Sequence, residues 1–298
     1  MYAPGGSWGN DYRVVWVDRE GRTEPLIETP RAYVVARLSP DGRAVALGID
    51  DANASVWVHD LARGTQTRLA SGYNNLGPIW TPRGDRATFR RNHPTGVDLR
   101  WRPADGSDDA ETLSSSEQQQ SPGSWTSDGT TLLFHGRRPE SGDDILTLSL
   151  DDDRTVSELV NTESNERSPM ISPNDRWLAY ESDESGRWEV YVQAFPDATR
   201  KVQVSTDGGV RPRWNPNGQE LFYRQGDKLM AVEIETEGAL ELDTPRALFE
   251  RFFDDYDVGP LGERFIMVDT SVARAAPRKL VLVQNWSEEL KRLVPTEE

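Results

Sequence analysis

The side chains best suited to binding chemistry in this chain are arginines and aspartates that recur at fixed intervals. Arg37 and Arg213 occupy the same place in a repeat as Asp257, and Arg211 occupies the same place as Asp255, two residues earlier. Arginine offers a planar fork of donors that recognises carboxylate or phosphate with two hydrogen bonds. We therefore predict that these five residues line one mouth of a channel and bind a small anionic or polar ligand, or an acidic peptide segment. Internal Arg-Asp pairing without a ligand is the alternative.

Arg167 joins this candidate set because charged residues at these places differ most between repeats, whereas packing alone favours uniform apolar residues. The set is completed by an acidic run at Asp254, Asp255 and Asp257. Alternate carboxylates there could hold a divalent cation in the central channel, since hard cations prefer oxygen ligands. A plain solvated loop is the alternative, and no other cofactor is predicted.

Catalytic motifs give a weaker signal. The histidines His59, His93 and His135 fall one to a repeat without metal-ligand spacing, so we interpret them as structural. Gly5, Ser7 and Gly9 match a nucleophile elbow in form, but no strand precedes them. We therefore assign no catalytic residue.

A turn motif followed by an apolar run repeats along the sequence and must position these side chains. It is clearest as Trp-Asn-Pro-Asn-Gly at 214–218, and marker positions 40, 82, 127, 173, 216 and 260 lie 42 to 46 residues apart. Pro with its fixed φ, then Asp or Asn and Gly, makes a tight reversal between strands. We predict positive φ at Gly42, Gly84, Gly129 and Gly218. A period in the low forties fits a four-stranded propeller blade.

Six turns predict an all-β, six-bladed propeller of antiparallel four-stranded blades, formed as one domain by residues 1–298. One strand is left over at 13–17, and its pairing outside the three strands of the last blade would close the ring. Residues 1–29 are thus predicted to be closing strands. A strand is expected at 280–283 and a short helix at 287–293, ending before Pro295.

Composition narrows the partners. The formal net charge of −16 argues against binding the phosphate backbone of nucleic acids. No run of eighteen apolar residues is present, so we expect no membrane insertion. Cysteine is absent, which leaves the compartment open. We expect a monomer.

The repeated turns, the Asp-Glu-Ser-Gly hairpin at 183–186 and the Val-Tyr-Val run at 190–192 resemble the TolB-like β-propellers. Segments 15–19, 177–187, 205–209, 220–224 and 285–291 are similar to the propeller that follows the kinase domain in some bacterial membrane-anchored serine/threonine kinases. The resemblance covers nearly the whole chain. It implies a non-catalytic sensing, ligand-binding or protein-binding module, extracytoplasmic if it belongs to a membrane-anchored signalling protein. The alternatives are a polymer-acting lyase or hydrolase and the accessory propeller of a peptidase.

Overall fold

The computed structural model describes residues 12–51, 53–151, 153–235 and 240–271. Within these ranges the chain forms six antiparallel sheets, which are the predicted six blades. No helix is found among the described residues, and the predicted C-terminal helix and the strand at 280–283 lie outside them. No helix within these ranges is long and apolar enough to cross a membrane.

Each blade alternates short strands with tight turns, because β-branched and aromatic runs are separated by Gly, Asp and Pro. The chain opens with β1 (Tyr12–Asp18) and β2 (Thr23–Arg31). Blade 1 then comprises β3 (Tyr33–Leu38), β4 (Ala44–Ile49), β5 (Ser55–Asp60) and β6 (Gln66–Ala70). Blade 2 comprises β7 (Asn74–Trp80), β8 (Arg86–His93), β9 (Gly96–Pro103) and β10 (Glu111–Ser116). Blade 3 comprises β11 (Gln120–Trp125), β12 (Thr131–Arg138), β13 (Gly142–Ser149) and β14 (Val156–Val160). Blade 4 comprises β15 (Glu166–Ile171), β16 (Trp177–Ser182), β17 (Glu189–Ala194) and β18 (Val202–Gln203).

Blade 5 has an outer edge made of two short strands. It comprises β19 (Val210–Trp214), β20 (Glu220–Gln225), β21 (Lys228–Glu235), β22 (Glu241–Leu242) and β23 (Arg246–Glu250), and both β22 and β23 pair with β21. Blade 6 begins with β24 (Phe253–Val258) and β25 (Arg264–Asp269). The innermost strands β3, β7, β11, β15, β19 and β24 contact one another in this order around the ring.

The two ends of the described chain close the ring. Blade 6 has the strand order β2-β1-β25-β24, and Val14 pairs with Val268 while Trp16 pairs with Ile266. The expectation of three C-terminal strands is corrected, because β1 lies directly against β25 and the N-terminal side supplies both outer strands. Arg19, after β1, also donates from Nη2 to Oε1 of Glu220 in blade 5 at 2.5 Å.

The turn between the first and second strands of each blade has the predicted geometry. Its amide N–H bonds back across the reversal, as Gly42 does to the Ser39 carbonyl at 2.8 Å. The left-handed residue of the six turns is, in chain order, Gly42 (φ 70°), Gly84 (69°), Gly129 (74°), Asp175 (55°), Gly218 (75°) and Gly262 (69°). The positive φ expected at four glycines is thereby confirmed, and the sixth turn keeps this geometry despite its altered sequence.

Apolar layers between neighbouring blades form the core. Trp80, Trp125 and Trp214 are 9%, 5% and 6% exposed, which confirms a packing role for these tryptophans. The Trp80 indole N–H donates to the Arg37 carbonyl at 2.8 Å, and that of Trp214 donates to the Met170 carbonyl at 3.0 Å. These bonds run from one blade to the preceding blade, so they fix the inner strands relative to each other.

Candidate functional site

Two cavities open at opposite ends of the central channel, and each is lined by residues of all six blades. The smaller, about 310 Å³, lies among the proline turns and includes Trp80 and Asp257. The larger, about 720 Å³, lies where the inner strands begin. We call the larger cavity the arginine mouth; its charged and titratable residues are Arg37, Arg90, His135, Arg167, Glu181, Arg211, Arg213, Arg224 and Asp255.

A β-bulge in every inner strand shapes this mouth. The pairing of inner and second strands shifts register in all six blades, for example between Val210 and Arg213. Arg211 sits in this bulge at φ 57°, and Ser168 occupies the same place of blade 4 at φ 56°. A left-handed residue other than glycine costs about 1 kcal/mol, and a bulge re-aims its side chain. The Tyr256 hydroxyl donates to the Arg211 carbonyl at 2.8 Å and so stabilises this conformation.

Asp255 is the fully buried centre of the charge network. Arg211 donates from Nη1 to its Oδ1 at 2.7 Å, and Arg37 contacts both of its oxygens, with Nη2 3.2 Å from Oδ1. The Ala36 amide N–H adds a bond to Oδ2 at 3.3 Å. Burial alone would raise the pKa of Asp255, but the charges of Arg37 and Arg211 outweigh it and hold this pKa well below its usual range.

Arg213 is buried with weak compensation for its charge. Its Nη1 donates to the Pro212 carbonyl at 2.9 Å, whereas its Nε has no hydrogen-bond partner and lies 3.9 Å from Oδ1 of Asp257. Burial, with repulsion from Arg37, lowers the pKa of Arg213. Burial raises the pKa of Asp257, whose Oδ2 accepts the Leu38 amide N–H at 2.9 Å.

Arg167 is held at the rim by an acidic partner. Its Nε donates to Oε2 of Glu181 at 2.7 Å, and its guanidinium carbon lies 3.7 Å from the ring centroid of Trp188. The other carboxylate oxygen of Glu181 accepts the amide N–H of Arg211 at 2.7 Å. Glu181 therefore couples the rim of blade 4 to the bulge of blade 5.

The structure brings together most, but not all, of the residues that the sequence suggested. Arg37, Arg167, Arg211, Arg213 and Asp255 line the arginine mouth. Asp257 lines the opposite cavity instead. Asp257 lies two residues beyond Asp255 on β24, and two residues advance a strand by about 6.6 Å. This distance places the short side chain of Asp257 towards the other end of the channel. The longer side chains of Arg37 and Arg213 line both cavities.

Four charged or titratable mouth residues were missed because they lie on second strands. Arg90, His135, Glu181 and Arg224 occupy one place in the consecutive blades 2 to 5. Four polar or charged residues at one place of an otherwise apolar strand were the signal in the sequence. His135, which we interpreted from the sequence as structural, lines this cavity.

Arg90 and His135 each have a buried side-chain nitrogen without a hydrogen-bond partner. The side chain of Arg90 makes no hydrogen bond or ion pair within the described ranges, and burial lowers its pKa. Burial, with repulsion from Arg90 and Arg167, lowers the pKa of His135 to about 4, so its ring is neutral at pH 7. The Nδ1 of His135 is buried without a hydrogen-bond partner.

The metal hypothesis for the acidic run finds no support in this geometry. Both oxygens of Asp255 face guanidinium groups, and Asp257 bonds to a backbone amide. Among the described residues, no group of three histidines or carboxylates is placed to hold a metal ion. Asp254, Asp255 and Asp257 thus act as separate groups.

Solved structures share this architecture. A protein described as TolB from Agrobacterium tumefaciens aligns with a TM-score of 0.72 and 16% identity over 87% of this chain and 98% of its own. Hydrazine synthase of Kuenenia stuttgartiensis aligns with a TM-score of 0.65 and 14% identity over 88% of this chain and 87% of its own. An oligogalacturonate lyase in complex with manganese aligns with a TM-score of 0.56 and 15% identity over 78% of this chain and 69% of its own. No family model and no curated protein matches the sequence.

The fold is that of TolB-like six-bladed propellers. Identities this low establish the architecture alone, and the similar structures range from TolB to a synthase and a lyase. Function must therefore be argued from the site.

Proposed function

We propose that this chain is a non-catalytic binding module that holds an anionic group of its ligand or partner in the arginine mouth. The observation that supports this most strongly is a surplus of positive charge in a chain whose net charge is −16. Six arginines and two carboxylates line the mouth, so its lining residues carry an excess of four positive charges, or three if Asp257 is included. His135, being neutral at pH 7, adds a polar group without adding charge.

Internal pairing explains part of this set and not the rest. Arg37 and Arg211 share Asp255, and Arg167 pairs with Glu181. Arg90 and Arg213 make no hydrogen bond to a carboxylate in the part of the chain described. Guanidinium groups that are buried with weak or no ion pairing are unfavourable, so a bound anion would offset their cost. We assign Arg90 and Arg213 as the main ligand-binding residues and the paired arginines as the frame around them.

The ligand we propose is small and anionic or polar, or an acidic peptide segment of a protein partner. A cavity of about 720 Å³ is within the size range of small-molecule sites. A sensing role in a signalling protein, with an extracytoplasmic location, a monomeric state and no nucleic-acid partner, is the wider setting that we propose from the sequence.

Thermal-shift screening tests the proposal. Wild type and Arg213→Ala would be screened against carboxylates, phosphorylated sugars, divalent cations and acidic peptides, with Arg43→Gln as a control because Arg43 is an exposed surface arginine. Binding predicts that anions raise the melting temperature of wild type and the control but not of Arg213→Ala. Internal pairing predicts no stabilising compound and a large drop in melting temperature for Arg213→Ala.

A second candidate function is a lyase acting on an acidic polysaccharide. The observation that favours it is the neutral imidazole of His135 beside arginines that could hold carboxylates. Incubation with oligogalacturonate, with and without manganese, tests it through the ultraviolet absorbance of unsaturated products. Activity abolished in His135→Gln would establish this function over the first.

A further inference from the structure

We propose a second anion-binding site in the groove between blades 1 and 2, for a small molecule that carries two or more phosphate or carboxylate groups. The groove measures about 700 Å³ and lies beside the outer strands β6, β9 and β10. It shares no lining residue with the arginine mouth. Strand alternation separates the two sites, because neighbouring residues Arg90 and Arg91 of β8 point to opposite faces.

The groove is strongly cationic. Arg68, Arg91, Arg100 and Arg102 line it, and Asp109 is its one acidic lining residue. None of the four arginines lies within 4.0 Å of a carboxylate oxygen in the described ranges. In an acidic protein, a cluster of four arginines with one acidic lining residue and no ion pair points to a ligand that supplies the negative charge.

Arg100 occupies a place that is apolar in every other blade. Register places Arg100 opposite Phe89, and the equivalent pairs are Leu47 with Trp57, Phe134 with Leu146, Tyr180 with Tyr191, Tyr223 with Met230, and Met267 with Val15. The five counterparts of Arg100 pack in or against the apolar clusters between blades. Packing therefore does not explain an arginine here.

The side chain of Arg100 makes no ion pair with a carboxylate in the part of the chain described. One Nη2 donates to the Ala110 carbonyl, and the Nε is buried without a partner. Burial, with repulsion from Arg91, lowers the pKa of Arg100. Arg102 differs, because its three nitrogens donate to the carbonyls of Leu69, Gly106 and Asp108. Arg102 thus shapes the wall, and Arg100 keeps a donor for a ligand.

The opposite rim holds Arg91 ready for an anion. Its guanidinium carbon lies 4.2 Å from the ring centroid of Tyr73, which is 51% exposed at φ 56°. A left-handed conformation is rare for a bulky residue, and such strain clusters at ligand sites. Stacking on Tyr73 fixes the orientation of the Arg91 guanidinium, whose planar fork suits bidentate recognition.

Calorimetry and amide NMR on the full chain test this site with citrate and tripolyphosphate as probes. Binding should shift the Gly72 and Ala110 amides. Arg100→Leu, which installs the residue that blade 3 has at this place, should weaken groove binding tenfold or more, since charge-assisted bonds are lost. Arg91→Gln should also weaken groove binding, without altering the core. The surface control Arg43→Gln should leave groove binding unchanged.

The outcomes separate this site from the arginine mouth. Arg90→Gln should leave the Gly72 and Ala110 shifts intact even if the mouth binds nothing. Absent shifts at millimolar probe, or equal affinity in wild type, Arg100→Leu and Arg91→Gln, would overturn the proposal. Tighter binding of a hexaglutamate peptide than of either probe would overturn the small-molecule assignment.

Discussion

Arg211 donates from Nη1 to Oδ1 of Asp255 at 2.7 Å, and the two residues lie in adjacent blades. Asp255 is fully buried, so its charge is stable only because guanidinium groups surround it. The pair therefore joins blades 5 and 6 at the channel and sets the position of the mouth.

Removing the charge of Asp255 should destabilise the fold. Asp255→Asn keeps the shape but leaves the half-buried Arg37 and Arg211 without their shared counter-charge. Breaking a buried ion pair in this way costs about 3–5 kcal/mol. Urea unfolding at pH 7 measures this. Asp254→Asn is the matched control, expected within about 0.5 kcal/mol of wild type because Asp254 has no ion pair within the described ranges. Equal stability of the two variants would contradict the pairing.

His135 should make stability depend on pH. Its folded pKa is about 4, below the unfolded value of about 6.5. The unfolded chain therefore binds this proton first, and the contribution of His135 is present above about pH 6.5 and lost as pH falls towards 4. Its size is about 1–3 kcal/mol after allowance for solvent screening. Unfolding free energies from pH 7 to 4 should show a flatter profile in His135→Gln; identical profiles would refute the assignment.

Ring closure predicts a role for β1 in stability. Deleting residues 1–22 removes the strand that pairs with β25, and exposes an unpaired edge. The melting temperature should fall by many degrees and the chain should associate, as measured by calorimetry and light scattering. Arg13→Thr, a change at an exposed residue of β1, is the control. A truncated chain that stays monomeric with unchanged melting would disprove closure.

The turn glycines should differ in their tolerance of alanine. A Cβ at Gly42 would lie 2.9 Å from Cγ of Pro260, whereas at Gly218 the nearest atom is 3.9 Å away. We expect losses of about 1–2 kcal/mol at Gly42, from strain and contact together, and about 1 kcal/mol at Gly218. Gly64→Ala, at φ 67° with open space around it, measures strain alone. A smaller loss at Gly42 than at Gly64 would contradict this packing.

The blades were predictable because their information is local. A Pro, Asn and Gly turn at 216–218 sets its own geometry whatever surrounds it, and the period then gives the number of blades. Closure of the last blade by β1 was also predictable, since a ring with open edges is unfavourable. Its direct pairing with β25 was not, because a third C-terminal strand was expected between them.

The site was predictable only in part because it depends on tertiary placement. Arg211 and Asp255 lie on inner strands, which the repeated turns align with one another. Arg90 and His135 lie on second strands, and which residues of these strands reach the channel depends on the tertiary fold. The bulges were not visible in the sequence, because Ser168 and Arg211 adopt positive φ without glycine. Asp257 lies with Arg37 and Arg213 in the cavity among the proline turns, and only the two longer side chains also reach the arginine mouth.

The most direct test of the arginine mouth is its affinity for an anion with and without Arg90. Wild type, Arg90→Gln and the surface control Arg43→Gln would be titrated with citrate at low ionic strength, with the Arg211 and Gly226 amides followed by NMR. We predict that these amides shift in wild type and the control, that binding weakens tenfold or more in Arg90→Gln, and that added salt weakens it further. Amides that do not shift, or equal affinity in all three proteins, would contradict the proposed function.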